Sequence, residues 1–212
     1  IQIMPHALPQ KYDLLDIYYT PKYSSCFAKV SKKGTRFKEK AGTTEGYEQG
    51  IFVDVFPLDY VPDDIAMRKK ITRKAWLYSR LIILSEIDEP VFPNGYSRVK
   101  RAVVGFGCKF VHFLMKAFRI NKLKLYDKYL KTATAYNASQ NYLTDYSAMD
   151  TESVLVRTDV IFPLKDIRFE DTVFPAPDNL DSYLTTVYHD YMKLPKPEER
   201  HNHLAEVLDF GE

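Results

Sequence analysis

An apolar run rich in strand-forming residues, Gly50-Ile-Phe-Val-Asp-Val-Phe56, carries the carboxylate of Asp54 in its middle. A second acid, Asp59, stands just past the Phe56-Pro57-Leu58 exit. By strand alternation Asp54 shares a face with Phe52 and Phe56, while Ile51, Val53 and Val55 take the other. A carboxylate among such neighbours is costly unless it is paired or holds a cation. Its residue type leaves two readings open: an acid satisfied at a strand edge, or a ligand for a hard divalent cation. Mg2+ is commonly held by one or two carboxylates together with substrate phosphates. One acid is not a site, so Asp54 needs a partner on a neighbouring strand.

The elements that must position such a site are mixed. Phe27-Ala28-Lys29-Val30 reads as a strand, Lys32-Lys33-Gly34-Thr35 as a hairpin-like turn, and Thr35-Arg36-Phe37 as its return. Gly50 to Phe56 is the next strand, closed by Pro57. Asp63 or Asp64 caps a helix whose stripe Met67, Ile71, Ala75, Tyr78 and Ile82 runs to about Ile87. A second helix is expected over Ser97–Ile120 and a third over Lys122–Asn137. Val154-Leu155-Val156, Val160-Ile161-Phe162 and Arg168-Phe169-Glu170 read as short extended pieces, and Val-Phe-Pro-Ala-Pro-Asp-Asn as a connector. A short helix should start near Asp178 or Asp181 and reach Val187, and a helical turn should close the chain over Arg200–Leu208. Strands and helices without regular alternation imply an α+β fold.

Bulk properties exclude several classes. The 212 residues suit one domain or a domain with a subdomain, and no stretch is apolar for long enough to span a bilayer. Two cysteines, Cys26 and Cys108, form neither a metal motif nor a disulfide framework, which fits reduced thiols in the cytoplasm. No nucleophile elbow, P-loop or dinucleotide fingerprint is present. His6, His112, His189, His201 and His203 are spaced unlike a zinc site, although His201 or His203 could meet a phosphate. From Arg98 to Lys131 there are ten Lys or Arg and one acid, Asp127, whereas the remaining chain holds 20 basic and 27 acidic residues. With the body acidic, nucleic acid is not an expected partner. The second helix sets Val99, Ala102, Phe106, Phe110, Phe113, Ala117 and Ile120 on one face. Both an interfacial helix on an anionic membrane and a core helix with a solvated basic face fit this pattern.

The stretch Gly-Ile-Phe-Val-Asp-Val-Phe-Pro-Leu-Asp-Tyr-Val-Pro closely resembles the signature of the LicD family of phosphotransferases. So do the upstream Phe-Ala-Lys-Val strand with Thr35 beyond it and the tail from Ile161 to Arg200. These blocks stand in the family's order and cover most of the chain. Two departures lie in the tail: His189 stands where the family has Gly, and Lys196 separates Pro195 from Pro197. The family's Trp-Asp-Asp-Asp cluster is absent, and Ile-Gln-Ile-Met resembles the stretch directly after that cluster. Acids are therefore expected upstream of Ile1, and a skipped segment between Met4 and Pro5.

The resemblance implies a nucleotidyltransferase-like mixed sheet with a helical subdomain inserted after the metal-binding strand. It divides the chain into core strands over 1–62, helices over 63–140 and a return to the core over 141–212. It implies transfer of an alcohol phosphate, phosphocholine from CDP-choline above all, to a hydroxyl of a cell-surface glycan or its lipid-linked precursor. Asp54 becomes the metal ligand and catalytic acid–base group, with Mg2+ or Mn2+ as cofactor. Lys29, Thr35, Lys193 and Arg200 become phosphate or substrate contacts. The expected location is cytoplasmic, peripheral at the inner membrane face through residues 98–131. A nucleotide-sugar glycosyltransferase is the alternative enzyme, although it normally shows an Asp-x-Asp pair that this chain lacks. A non-catalytic glycan- or nucleotide-binding module is the alternative if the acidic cluster is truly absent.

Overall fold

A computed structural model describes residues 8–39, 47–88, 97–136, 140–148, 151–196 and 205–211. The fold is α+β, with helices and several small sheets. Strand pairing among the described residues is antiparallel throughout. The chain divides into two compact units, Ile1–Phe56 with Leu77–Tyr129 and Asn202–Glu212, and Pro57–Trp76 with Leu130–His201. The chain passes between the units at 56/57, 76/77, 129/130 and 201/202.

In the first unit, β1 (Tyr12–Leu15), β2 (Ala28–Lys32) and β4 (Phe52–Val55) form a sheet in the order β1-β2-β4. The turn after β2 is formed as expected, with Gly34 at φ 75. It does not close a hairpin, because both edges of β2 are already taken by β1 and β4. Instead β3 (Arg36–Glu39) pairs with β10 (Ala205–Asp209). The approach to β4 is tied to this turn. Ser31 Oγ accepts the Gly50 N–H at 2.8 Å, and Lys32 N–H donates to Ile51 O at 2.8 Å. A Cβ on Gly50 would strike the Lys32 carbonyl, so only glycine permits this close approach.

Three helices come next: α1 (Ile65–Glu86), α2 (Arg98–Ala117) and α3 (Lys122–Ala133). Asp64 caps α1 as the sequence suggests, its Oδ1 accepting the Met67 N–H at 2.7 Å. Ser97 caps α2 in the same way through Lys100 N–H at 3.2 Å. At the start of α3, Lys122 reaches Glu86 at 3.1 Å and the Tyr23 carbonyl at 2.9 Å.

In the second unit, β5 (Asp59–Val61), β6 (Tyr142–Thr144) and β7 (Val156–Arg157) form one sheet, and β8 (Lys165–Phe169) and β9 (Thr172–Ala176) a hairpin. Leu143, Val156 and Ile161 form the centre of its core, flanked by Tyr60, Val160, Tyr183 and Val187. Along the chain, α4 (Thr158–Ile161) connects β7 to β8, and α5 (Leu180–Tyr188) comes after β9.

Four segments depart from their expected structure. Of Val154-Leu155-Val156 only Val156 is strand, the start of β7. Val160-Ile161-Phe162 is not a strand but mostly the turn of α4, closed by Phe162 N–H on Thr158 O at 2.8 Å. An apolar triplet is too short to show a period. The Val173-Phe174-Pro175-Ala176 part of the expected connector is strand β9, where a two-stranded hairpin leaves an edge that tolerates proline. At the chain end, Ala205–Asp209 is strand β10 rather than helix, its register fixed by β3. Residues 200–204, and the junction of Met4 with Pro5, lie outside the described residues.

The end of α5 carries local strain. His189 closes the helix at φ 59, a left-handed conformation that costs a residue with a Cβ about 1–2 kcal/mol. His189→Gly is expected to raise stability by about 1 kcal/mol, read as a higher urea midpoint at unchanged slope. An unchanged or lower midpoint shows that the imidazole holds contacts worth more than the strain.

Candidate functional site

The site starts from strand register. β2 and β4 run antiparallel with Lys29 directly opposite Asp54, so the two side chains leave the sheet on the same face. Lys29 Nζ lies 3.8 Å from Asp54 Oδ1. That is an ion-pair distance and too long for a hydrogen bond. The same ammonium sits 3.7 Å from the centroid of the Phe52 ring. Phe52 and Asp54 are two apart on β4, so alternation alone puts them side by side. Lys29 is thus buried between a carboxylate and an aromatic face.

Further aromatics complete this face. Phe27 and Phe56 lie 4.8 Å apart by ring centroid, and Phe37 meets Phe52 at 5.5 Å. Tyr23 is buried, and its hydroxyl donates to the Phe27 carbonyl at 3.0 Å. Burial pushes the Tyr23 phenol far above its ordinary range, with Tyr47, Asp54 and Asp16 adding to the rise. Tyr23 therefore stays protonated and serves as a fixed donor to the residue that precedes β2. On the opposite face of β4 Val53 is 69% exposed.

The other expected contacts have settings of their own. Thr35 gives its hydroxyl proton to Lys32 O at 2.7 Å and accepts Ile51 N–H at 2.9 Å, which makes it a tie between turn and β4. Lys193 is exposed in the turn after α5, in the second unit. Arg200, His201, His203 and His6 lie outside the described residues. Among the described residues no three His, Cys, Asp or Glu side chains gather as a metal site. Asp54 thus offers a hard cation one carboxylate, which fits Mg2+ only with donor phosphates as further ligands. A cavity of about 400 Å³ lined by Ser85, Glu86, Met115, Lys116, Asn121 and Lys122 includes neither Lys29 nor Asp54.

No family model, curated protein or solved structure matches this chain. The candidate site therefore stands on its own side chains.

A second acidic feature, in the second unit, was only half visible in the sequence. Asp59 on β5 pairs in register with Thr144, the residue before Asp145. Burial, reinforced by the charge of Asp145, pushes the Asp59 carboxyl up to about 6. Burial also raises Asp145, although Ser147 opposes the shift by donating its N–H and hydroxyl to Oδ1 at 2.7 and 2.5 Å. Arg68 does not neutralise the pair directly. Its guanidinium donates to the carbonyls of Pro62 at 3.1 Å and Asp63 at 3.3 Å, and it lies 4.6 Å over the Tyr142 ring. A carboxyl titrating near 6 can hold a proton close to neutral pH. Nothing local in the sequence joins Asp59 to Asp145, because only the β5–β6 pairing does so.

Proposed function

We propose that this chain transfers an alcohol phosphate, phosphocholine from CDP-choline in the first instance, to a hydroxyl of a glycan or its lipid-linked precursor. The observation that carries the reading is the Lys29–Asp54 juxtaposition across β2 and β4. Phosphoryl transfer depends on positioning and charge neutralisation more than on covalent chemistry. A lysine and an aspartate paired in register on one sheet face supply a phosphate-binding charge and a carboxylate for it.

Lys29 binds a non-bridging phosphate oxygen of the donor, its ammonium steered by Phe52. Asp54 takes the proton of the acceptor hydroxyl as that oxygen attacks phosphorus, and the P–O bond to CMP breaks with its electron pair leaving on CMP. A divalent cation bound at Asp54 would neutralise the donor pyrophosphate as a Lewis acid. Two features support the LicD-like reading and a nucleotidyltransferase-like core. The strand block that carries the resemblance forms the Lys29–Asp54 face. In addition, His189 has a left-handed φ at the position where the resembling family has glycine.

The test is CMP release from CDP-choline, CDP-ribitol or CDP-glycerol with Mg2+ and hydroxyl-bearing glycans. Transfer is expected to stop on adding EDTA and to return with Mg2+ or Mn2+. Lys29→Met should raise the donor KM about tenfold or more, the loss of one charge-assisted contact. CDP-choline binding without CMP release would favour a binding module, and transfer from a nucleotide sugar would favour a glycosyltransferase.

A further inference from the structure

The helix α2 presents its apolar stripe outward. Phe106 is 75% exposed, Phe113 65% and Val99 74%, and Val103 and Phe110 are exposed beside them. The inward side is made by Gly105 and Met115, both buried, with Cys108 and His112 half-buried. His112 Nδ1 meets the Leu84 carbonyl at 2.7 Å, which fixes the rotation of the helix about its axis. At 100° per residue Val99, Phe106, Phe110 and Phe113 fall within one outward sector. Arg98, Lys109 and Lys116 border it on one side and Lys100 on the other. The helix contains five Lys or Arg and no Asp or Glu.

We propose that this face of α2 docks on an anionic lipid bilayer, with the phenylalanines at the headgroup–acyl boundary and the flanking cations on acidic headgroups. The proposal is independent of the transfer reaction. Charge selects the occupant: an apolar stripe that its own helix flanks on both sides with Lys or Arg and with no acid matches a surface that is apolar inside and anionic at its edge. The lysine stems can lie along the apolar layer while their ammonium groups stay in the headgroups. No helix among the described residues is long and apolar enough to cross a membrane, so α2 would lie in the interface. The docking face is narrower than residues 98–131, because Lys122 is held inside the first unit by Glu86 and the Tyr23 carbonyl.

The test is co-sedimentation with phosphatidylglycerol/phosphatidylcholine vesicles and with pure phosphatidylcholine, at low and high salt. Binding is expected only to the anionic vesicles, weakening with salt. Each Lys→Gln at Lys109 and Lys116 should lower partitioning about fivefold. Phe106→Ser with Phe110→Ser should abolish binding while leaving the circular dichroism unchanged, since these side chains are exposed. Phe106→Trp should shift its emission to the blue on vesicle addition. The proposal is overturned if the wild-type chain stays in the supernatant at low salt, or if binding ignores both sets of substitutions. It is also overturned if the chain self-associates through this face and the associated form excludes vesicles.

Discussion

Asp54→Asn is expected to reduce divalent-metal-dependent transfer by about a thousandfold or more, the several kcal/mol that a metal carboxylate contributes to a transition state. Asn preserves the shape of the side chain on β4 but removes the charge that Lys29 faces at 3.8 Å. Two consequences separate. The chemical one is loss of both cation binding and proton acceptance, which should appear in kcat as well as KM. The structural one is a lysine left buried against Phe52 without its carboxylate. That cost is moderated because the Asp54 side chain is 29% exposed and the pair is partly screened. The variant should keep its circular dichroism and unfold cooperatively with a lowered midpoint. Retained activity would make Asp54 a structural counter-ion of Lys29, and the phosphotransferase reading would lose its central residue.

The second large effect is one of stability, at Asp59. Its carboxyl is raised from an ordinary 3.8 to about 6 in the folded chain, by burial first and then by the charge of Asp145. A folded acid with a raised pKa binds more protons than the unfolded chain between about pH 4 and 6. The group therefore stabilises least when ionised: its favourable state is complete below about pH 4 and is lost as pH rises through about 6. Asp59→Asn removes the charge that Asp145 and burial disfavour. At pH 7.5 it should gain about 2–3 kcal/mol, a rise in Tm of roughly 4–10 °C. The difference from wild type should shrink towards zero as pH falls to 4. Urea titrations at four pH values measure it directly. An Asn variant no more stable than wild type at pH 7.5, or an advantage independent of pH, would show that Asp59 is not held in this disfavoured state.

Several features were legible in the chain because they are local. Alternation put Asp54 beside Phe52 and Phe56, and the structure keeps them on one face with Phe27. The Asp64 cap and the stripe beyond it gave α1, since capping and helical period involve residues three or four apart. Gly34 marked its turn by needing a positive φ.

Tertiary structure decided what local rules leave open. The sequence put Lys29 and Asp54 on separate strands, but only the β2–β4 register set them opposite each other, and a slip of one residue would have turned the lysine to the other face. It showed one acid at Asp59 but not Asp145, because β5 and β6 meet through pairing between distant segments. It showed an apolar stripe on α2, yet amphipathicity says only that a face avoids water. The His112 contact with Leu84 and the burial of Met115 turned the opposite side inward and left the phenylalanines outside. The apolar end of the chain fits helix or strand by pattern, and the free edge of β3 made it β10. Each of these outcomes depends on which surfaces meet, an energy shared between residues far apart in the chain, which no window of neighbouring residues contains.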